Sequence, residues 1–302
     1  MKKFLFSIAV LIAFNSLSQN ILAKAELEAE NVEEVRIEGS FVDIYVNSGD
    51  RVYFKGVITG NGDEGDYEFE TDIVGKTLVI RVDRETNRSW RNYRIEESRI
   101  DLTITDGVRL DIDNSSGDIN VANLRASESK IEASSGDITL RSIIANLEVE
   151  TSSGDIDIDG LTGDSEIEST SGDQDIFNSR GNIDTRASSG DVTVSGFNGK
   201  IEIQTTSGDV EIREGVGGLK IRTSSGEIDG YKVEVNDNCY FDATSGNIEI
   251  DFLNDLDELS FDLTATSGDL EVGNRSGEKR LVIDRGGYKI NGTTSSGDQE
   301  YE

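Results

Sequence analysis

Three residue types are absent or nearly absent from the chain, and two of them, histidine and cysteine, are common in catalytic and metal sites. It contains no proline, no histidine and only one cysteine, Cys239, among 302 residues. A single cysteine excludes an internal disulfide framework and a cysteine-rich zinc site, and we expect it to be a buried small residue. No G-x-S-x-G element, P-loop or metal-ligand cluster is present either. The composition therefore favours a protein that is not an enzyme and carries no cofactor.

One class of enzyme stays open as a less favoured alternative. Carbohydrate-active enzymes built on parallel β-helices need only a base or a pair of carboxylates in a groove. With 60 Asp and Glu residues in the chain, however, two neighbouring carboxylates indicate nothing by themselves.

Positive charge is also scarce, since 29 Lys and Arg residues stand against 60 Asp and Glu residues, for a formal net charge of −31. Nucleic-acid phosphates attract Lys and Arg and repel an acidic surface. We therefore expect no nucleic-acid partner, and high solubility.

Long apolar runs are limited to the N-terminus. Lys2 and Lys3 precede an apolar stretch, Phe4–Phe14, that is too short to span a bilayer. Ala23 and Ala25 supply small residues before Glu26, so residues 1–25 are predicted to be a cleaved signal peptide. The mature chain is then expected in the periplasm, on the cell surface or outside the cell, with no integral membrane segment.

A Ser-Gly-Asp element recurs along most of the chain. Its glycines are Gly117, Gly136, Gly154, Gly172, Gly190, Gly208, Gly226, Gly246, Gly268 and Gly297, with five consecutive spacings of 18 residues. A fixed period of this kind is the signature of a repeat architecture.

Within each repeat, polar and apolar residues alternate. In most repeats the second and fourth residues after the glycine are apolar, as at Ile156 and Ile158, and so are the eleventh and thirteenth, as at Ile201 and Ile203. Such alternation indicates strands with one buried face, two in each repeat, and stacking equivalent strands joins those faces into one core. The prediction is an all-β, single-stranded parallel β-helix, or β-solenoid, with coils of about 18 residues. The inward set does not follow a six-residue period, so we expect right-handed coils.

The repeat is less regular toward the ends. Residues 26–113 are predicted to form irregular initial coils and a cap, and residues 114–302 the regular Ser-Ser-Gly-Asp solenoid with a C-terminal cap. Gln174 and Gln299 occupy an apolar position: we expect a bulge or a hydrogen-bonded buried amide at Gln174, and a polar end cap at Gln299. Residues Asp251–Leu259 are expected to form a short helical turn in a loop.

The Ser-Ser-Gly-Asp-Ile repeats, together with the segment RIDLTITDGVRLDIDNSSGDINV (Arg99–Val121), resemble a bacterial putative-adhesin family of largely unknown function. The resemblance implies a β-helix in an exported or envelope-associated protein and carries no catalytic residue. The expected function is non-catalytic adhesion or envelope interaction, with a cell-surface or envelope protein or a polysaccharide as partner. A periplasmic scaffold or sensor-associated module that binds a protein is the alternative.

One basic and aromatic segment, Arg84–Arg99, stands out in this acidic chain. We predict a site for an anionic or sugar ligand there, bound by ion pairing and stacking. The proposed residues are Arg88, Trp90, Arg91, Tyr93 and Arg94. The alternative is an edge strand or capping loop whose arginines pair with nearby carboxylates.

Two patterns raise the possibility of structural calcium. Asp155, Asp157, Asp159, Gly160 and Glu166 match the calcium loop of an EF-hand, although Ile156 and Ile158 on inward positions predict a strand there. The aspartate that follows each repeat glycine would also form a column about 5 Å apart, which either binds cations or satisfies the turns.

Overall fold

The computed structural model describes residues 20–84 and 94–302. The strands of the first part are β1 (Asn20–Ala29), β2 (Glu34–Gly39), β3 (Asp43–Ser48), β4 (Val52–Gly60), β5 (Tyr67–Val74), β6 (Thr77–Arg84), β7 (Ile95–Ile104), β8 (Arg109–Ser116) and β9 (Ile119–Ala122). The middle strands are β10 (Arg125–Ser135), β11 (Ile138–Ser153), β12 (Ile156–Thr162), β13 (Ser165–Ser171), β14 (Gln174–Arg180), β15 (Ile183–Ser189), β16 (Val192–Ser195), β17 (Ile201–Ser207), β18 (Val210–Gly217) and β19 (Leu219–Ser225). The last are β20 (Ile228–Val235), β21 (Cys239–Ser245), β22 (Ile248–Phe252), β23 (Ser260–Ser267), β24 (Leu270–Val272), β25 (Arg275–Gly277), β26 (Arg280–Ile283), β27 (Lys289–Ser296) and β28 (Gln299–Tyr301).

The pairing of these strands confirms the predicted β-solenoid. Ile156 lies in parallel register between Ile138 and Gln174, each 18 residues away. The same displacement relates β13 to β15 and β15 to β17. The predicted coil of 18 residues is therefore the structural unit of the middle of the chain.

Each coil has a third stretch of inward-facing side chains in addition to the two predicted strands. The residue seventh after the glycine is buried in several coils, as at Leu124, Ile143 and Leu161. It follows a corner whose residue has a positive φ, such as Asn123 at 58° and Asn178 at 56°. Asn tolerates this left-handed conformation better than most residues. A coil thus has three inward runs around one continuous apolar core.

The buried amide predicted at Gln174 is confirmed. Its Nε2 donates to Ser169 Oγ at 2.7 Å and to the Arg186 carbonyl at 3.0 Å, and its Oε1 accepts a hydrogen bond from Thr185. The side chain is fully buried. Polar residues have thus replaced the usual apolar ones at neighbouring inward positions, so that each buried polar group finds a partner.

At the C-terminal end, the order of the coils in space differs from their order in the chain. Strand β27 lies between β21 and β23, and β28 lies between β22 and β24. The last coil of the chain is therefore inserted one place before the end of the stack. Gln299 consequently lies between Ile248 and Leu270, where it is fully buried.

The prediction that Gln299 forms a polar end cap is therefore wrong. Its Nε2 donates to Thr294 Oγ1 at 3.1 Å and to the Thr264 carbonyl at 2.9 Å, as Gln174 does with its own neighbours. Its Oε1 accepts a hydrogen bond from the buried Tyr301 hydroxyl at 3.2 Å. Gln299 is an interior amide because a further coil covers it.

The N-terminal end shows the same exchange of order. Strand β2 lies between β6 and β8, and β3 lies between β7 and β9. Antiparallel strands then close both ends: β4 and β5 cover β7 and β6, β1 covers β4, and β26 and β25 cover β23 and β24. Antiparallel closure ends the parallel stack and occupies strand edges that would otherwise be open.

The loop after β22 contains a single turn of 3₁₀ helix, Leu256–Glu258, inside the segment predicted to make one. Asp255 caps it, because its side chain accepts a hydrogen bond from the Asp257 N–H at 2.9 Å. Within residues 20–84 and 94–302, no helix is long and apolar enough to cross a membrane.

Candidate ligand-binding groove

The Ser-Gly-Asp corners stack directly on one another. Gly190 has φ of 125°, and a Cβ added there would lie 2.1 Å from the carbonyl oxygen of Gly172 in the preceding coil. Glycine is required at this position for two reasons, the positive φ and the close approach of the neighbouring backbone.

The aspartate column has a structural role that extends from coil to coil. Asp173 Oδ1 accepts a hydrogen bond from the Asp191 N–H at 2.8 Å, and the Asp173 N–H donates to Asp155 Oδ1 at the same distance. The carboxylate therefore satisfies a backbone donor of the next coil rather than a donor of its own turn. A second column of this kind runs through Asn146, Asp164 and Asn182.

The segment that matches an EF-hand loop is extended. Residues Ile156–Thr162 form β12, with Ile156 and Ile158 in the core, so the aspartates that alternate with these two residues along the chain do not surround one point. In the described part of the chain, no group of three or more Asp, Glu or Cys residues is placed to hold a metal ion.

A groove of about 790 Å³ runs along the side of the solenoid next to the Ser-Gly-Asp corners. One of its walls is a column of small hydroxyl residues, which are Ser134, Ser152, Thr170, Ser188, Thr206, Ser224 and Thr244. The other wall is a column of charged and amide residues, which are Asp113, Glu132, Glu150, Glu168, Arg186, Gln204, Arg222 and Asp242. At about 4.8 Å per coil, seven hydroxyls extend over roughly 30 Å.

The charged wall changes sign along its length. Glu132, Glu150 and Glu168 occupy consecutive coils, and partial burial together with the charge of Glu132 raises the pKa of Glu150. Arg186 then follows, and it donates to Glu166 at 2.8 Å and to Glu168 at 2.5 Å. These hydrogen bonds raise the pKa of Arg186 further above its ordinary value.

Arg222 ends the basic part of the wall and is exposed. Among the described residues it has no hydrogen-bond or ion-pair partner, although its neighbour in the next coil is Asp242. The groove thus offers hydroxyls along one wall and, along the other, carboxylates followed by a free guanidinium.

Four of the five predicted ligand residues, Arg88, Trp90, Arg91 and Tyr93, lie outside the described residues. The fifth, Arg94, lies at the N-terminal cap, where its N–H donates to Asn61 Oδ1 at 2.7 Å. A ligand site in this segment stays a prediction.

Arg99, at the end of the same segment, behaves as the alternative interpretation predicts, since it pairs with a nearby carboxylate. The Arg99 guanidinium lies 4.0 Å from the centroid of the Tyr45 ring, and its Nε donates to Asp101 at 2.8 Å. Arg99 is therefore used to pack and pair within the cap.

Cys239 is buried, as predicted, and burial raises the pKa of its thiol to about 12. A thiol with this pKa is protonated and unreactive at neutral pH.

The sequence-based prediction missed the groove residues. They occupy outward positions of the repeat, where residue identity varies from Glu to Gln to Arg, so no single coil marks them. The one signal in the sequence is the recurrence of Ser or Thr just before each Ser-Gly pair, as at Ser152 and Thr170.

The sequence profile of the Toastrack DUF4097 family matches residues 32–212 and 197–300. The chain therefore belongs to this family, which confirms the resemblance to adhesin-like domains of unknown function. No curated protein matches the chain.

Three solved structures illustrate the likeness. A putative adhesin from Bacteroides fragilis shares 12% identity at a TM-score of 0.40, over 92% of this chain and 96% of that one. A putative adhesin from Parabacteroides distasonis shares 11% identity at a TM-score of 0.38, over 92% and 95%. A putative lipid binding protein from Parabacteroides distasonis shares 14% identity at a TM-score of 0.31, over 92% and 96%. At these TM-scores the likenesses carry no argument about ligand or activity.

Proposed function

We propose that the chain is a non-catalytic, exported adhesin-like solenoid that holds an extended polysaccharide of a cell surface or envelope in its groove. The observation that carries the proposal is the pair of columns along the groove, which repeat hydroxyl and charged groups at the coil spacing. A polymer with regular hydroxyls can exchange hydrogen bonds with both walls over several coils. Many weak contacts of one kind add up along such a surface.

The arrangement of the groove carboxylates supports a binding role over hydrolysis. Glycoside hydrolysis requires two carboxyl groups that flank the scissile bond from different sides. Glu132, Glu150 and Glu168 instead belong to a single column on one wall, opposite Ser152 and Thr170.

A second candidate function is protein binding within the envelope. An open depression of about 540 Å³ on another side of the solenoid is lined by Phe197, Gly215, Val216 and Leu253. The Leu253 side chain is 61% exposed beside it. An exposed leucine beside an open depression whose floor includes the buried Phe197 favours a protein partner over a sugar.

Binding to immobilised polysaccharides and to a glycan array tests the leading proposal. Thr170→Trp fills the middle of the groove and should abolish retention. Thr162→Trp is the matched control, because Thr162 is an equally exposed strand residue outside the groove. Equal retention of both variants would contradict binding in the groove, and failure of the parent chain to bind any polysaccharide would favour the protein-binding alternative.

Location is tested separately by treating intact cells with protease. Removal of a C-terminal tag from intact cells would support adhesion at the surface. A tag protected in the periplasm would exclude adhesion and make cross-linking to an envelope protein the next experiment.

A further inference from the structure

The first strand of the fold begins before the predicted end of the signal peptide. Strand β1 starts at Asn20, and its residues from Asn20 to Ala25 pair antiparallel with β4 between Gly60 and Gly56. A leader is absent from the mature protein, so cleavage before Glu26 would remove more than half of this strand.

Residues 20–25, which cleavage before Glu26 would remove, contribute to the core and to the N-terminal cap. Leu22 and Ala23 are buried, with 1% and 8% of their surface exposed. The Gly65 N–H donates to the Leu22 carbonyl at 2.9 Å, and the Asn20 side chain donates to the Gly62 carbonyl at 3.3 Å. Removing residues 20–25 would therefore expose apolar surface and leave one edge of β4 unpaired between Gly56 and Gly60.

The sequence offers a cleavage position that spares the strand. Between Phe14 and Glu26, small residues stand at both −3 and −1 at only two positions: Ala23 with Ala25, and Ser16 with Ser18. The second pair lies directly after the apolar run and ends just before β1. A leader peptidase that requires small residues at −3 and −1 accepts either pair.

We propose that the leader is removed by hydrolysis of the Ser18–Gln19 peptide bond, an inference that rests on the proposed export of the chain. Water adds to the Ser18 carbonyl carbon, and the bond to the Gln19 nitrogen breaks. The leader leaves with a Ser18 carboxylate, and the mature chain begins with a free Gln19 amine. All of β1 is then retained, including the buried Leu22.

Intact-mass spectrometry of the exported full chain, carrying a C-terminal tag, measures the new N-terminus directly. The expected mass corresponds to a chain that begins at Gln19, or to its pyroglutamate form, in which the Gln19 amine has attacked its own side-chain amide and released ammonia. A mass that begins at Glu26 would overturn the inference. An unprocessed chain kept in the cytoplasm would refute export itself, and the inference with it.

Two variants with the same new side chain separate the cleavage positions. Ser18→Val places a branched residue at −1 of the proposed position, and pulse-chase labelling should show the uncleaved precursor accumulating. Ala25→Val does the same at the alternative position and should be processed like the parent. Normal processing of Ser18→Val, combined with a block in Ala25→Val, would overturn the proposal, and this readout does not depend on folding.

Discussion

Replacing Gln174 by leucine is expected to destabilise the solenoid although it makes an inward position apolar, as in most other coils. The substitution deprives Ser169 Oγ, the Arg186 carbonyl and Thr185 Oγ1 of their buried partner. Each unsatisfied buried group costs about 1–3 kcal/mol. Burial of an additional apolar side chain offsets about 1.5–3 kcal/mol of that loss. Taking about 2 kcal/mol for each of the three groups and about 2 kcal/mol for the offset, we expect a net loss of about 4 kcal/mol in the free energy of unfolding.

Restoring the apolar pattern of the neighbouring coils should recover the loss. Thr185 lies in register between Ile167 and Ile203, so isoleucine fits its position. The triple variant Gln174→Leu, Thr185→Ile, Ser169→Ala removes both hydroxyl partners together with the amide, a change that is nearly neutral when shape is kept. The Arg186 carbonyl still lacks the amide, and burial of the larger isoleucine side chain offsets that cost. We expect it to return to within about 1 kcal/mol of the parent.

Urea unfolding followed by far-UV circular dichroism measures both effects. Ile156→Val sets the scale, because the loss of one buried methylene in the same column should cost about 0.5–1.5 kcal/mol. A single variant as stable as the parent, or a triple variant as unstable as the single one, would refute the argument that mutual satisfaction keeps these groups in the core.

Three further perturbations test the corners, the charge and the order of the coils. Gly190→Ala should lower the free energy of unfolding in urea by at least about 3 kcal/mol, because of strain at positive φ and contact with Gly172. Gly65→Ala has the strain but no atom near its added Cβ, so it should cost only about 1–2 kcal/mol. Equal costs would contradict the packing argument. Partial desolvation, together with the neighbouring Glu227 and Glu249, raises the pKa of Asp229 although the residue is exposed. The folded state then holds this proton more tightly than the unfolded state, so stability falls as pH rises through the window between the ordinary and the raised pKa. Asp229→Asn should therefore raise the urea midpoint near neutral pH and leave it unchanged below the ordinary Asp pKa of about 3.9, and a lower midpoint at neutral pH would refute this sign. Ending the chain at Tyr288 removes β27 and β28 from between their neighbours, so hydrogen exchange should show lost protection in β23; unchanged protection there would contradict the inserted order.

Much of the fold could be predicted because its determinants are local and repeated. The glycine spacing sets the coil length, and the alternation of polar and apolar residues sets which side chains face inward. The inward run that was missed begins seventh after the glycine. In three consecutive coils this position holds Ser179, Phe197 and Gly215, and a Cβ on Gly215 would lie 2.1 Å from the Phe197 ring. Three residues of such different size share no sequence pattern, and they fit only as a stacked set.

The sequence by itself determined the coil: its length, its glycine corner, its alternating faces and the family to which it belongs. The tertiary structure decided which coil lies beside which. All Ser-Gly-Asp coils present similar edges, so local sequence permits the last coil to stack at the end or one place inside, and Gln299 is buried because the inserted arrangement is adopted. The groove likewise exists only after stacking, because its walls are single outward residues that become columns when successive coils align. Contacts between coils are long-range in sequence, and for this reason their order, the partner of each aspartate and the site could be read only from the folded chain.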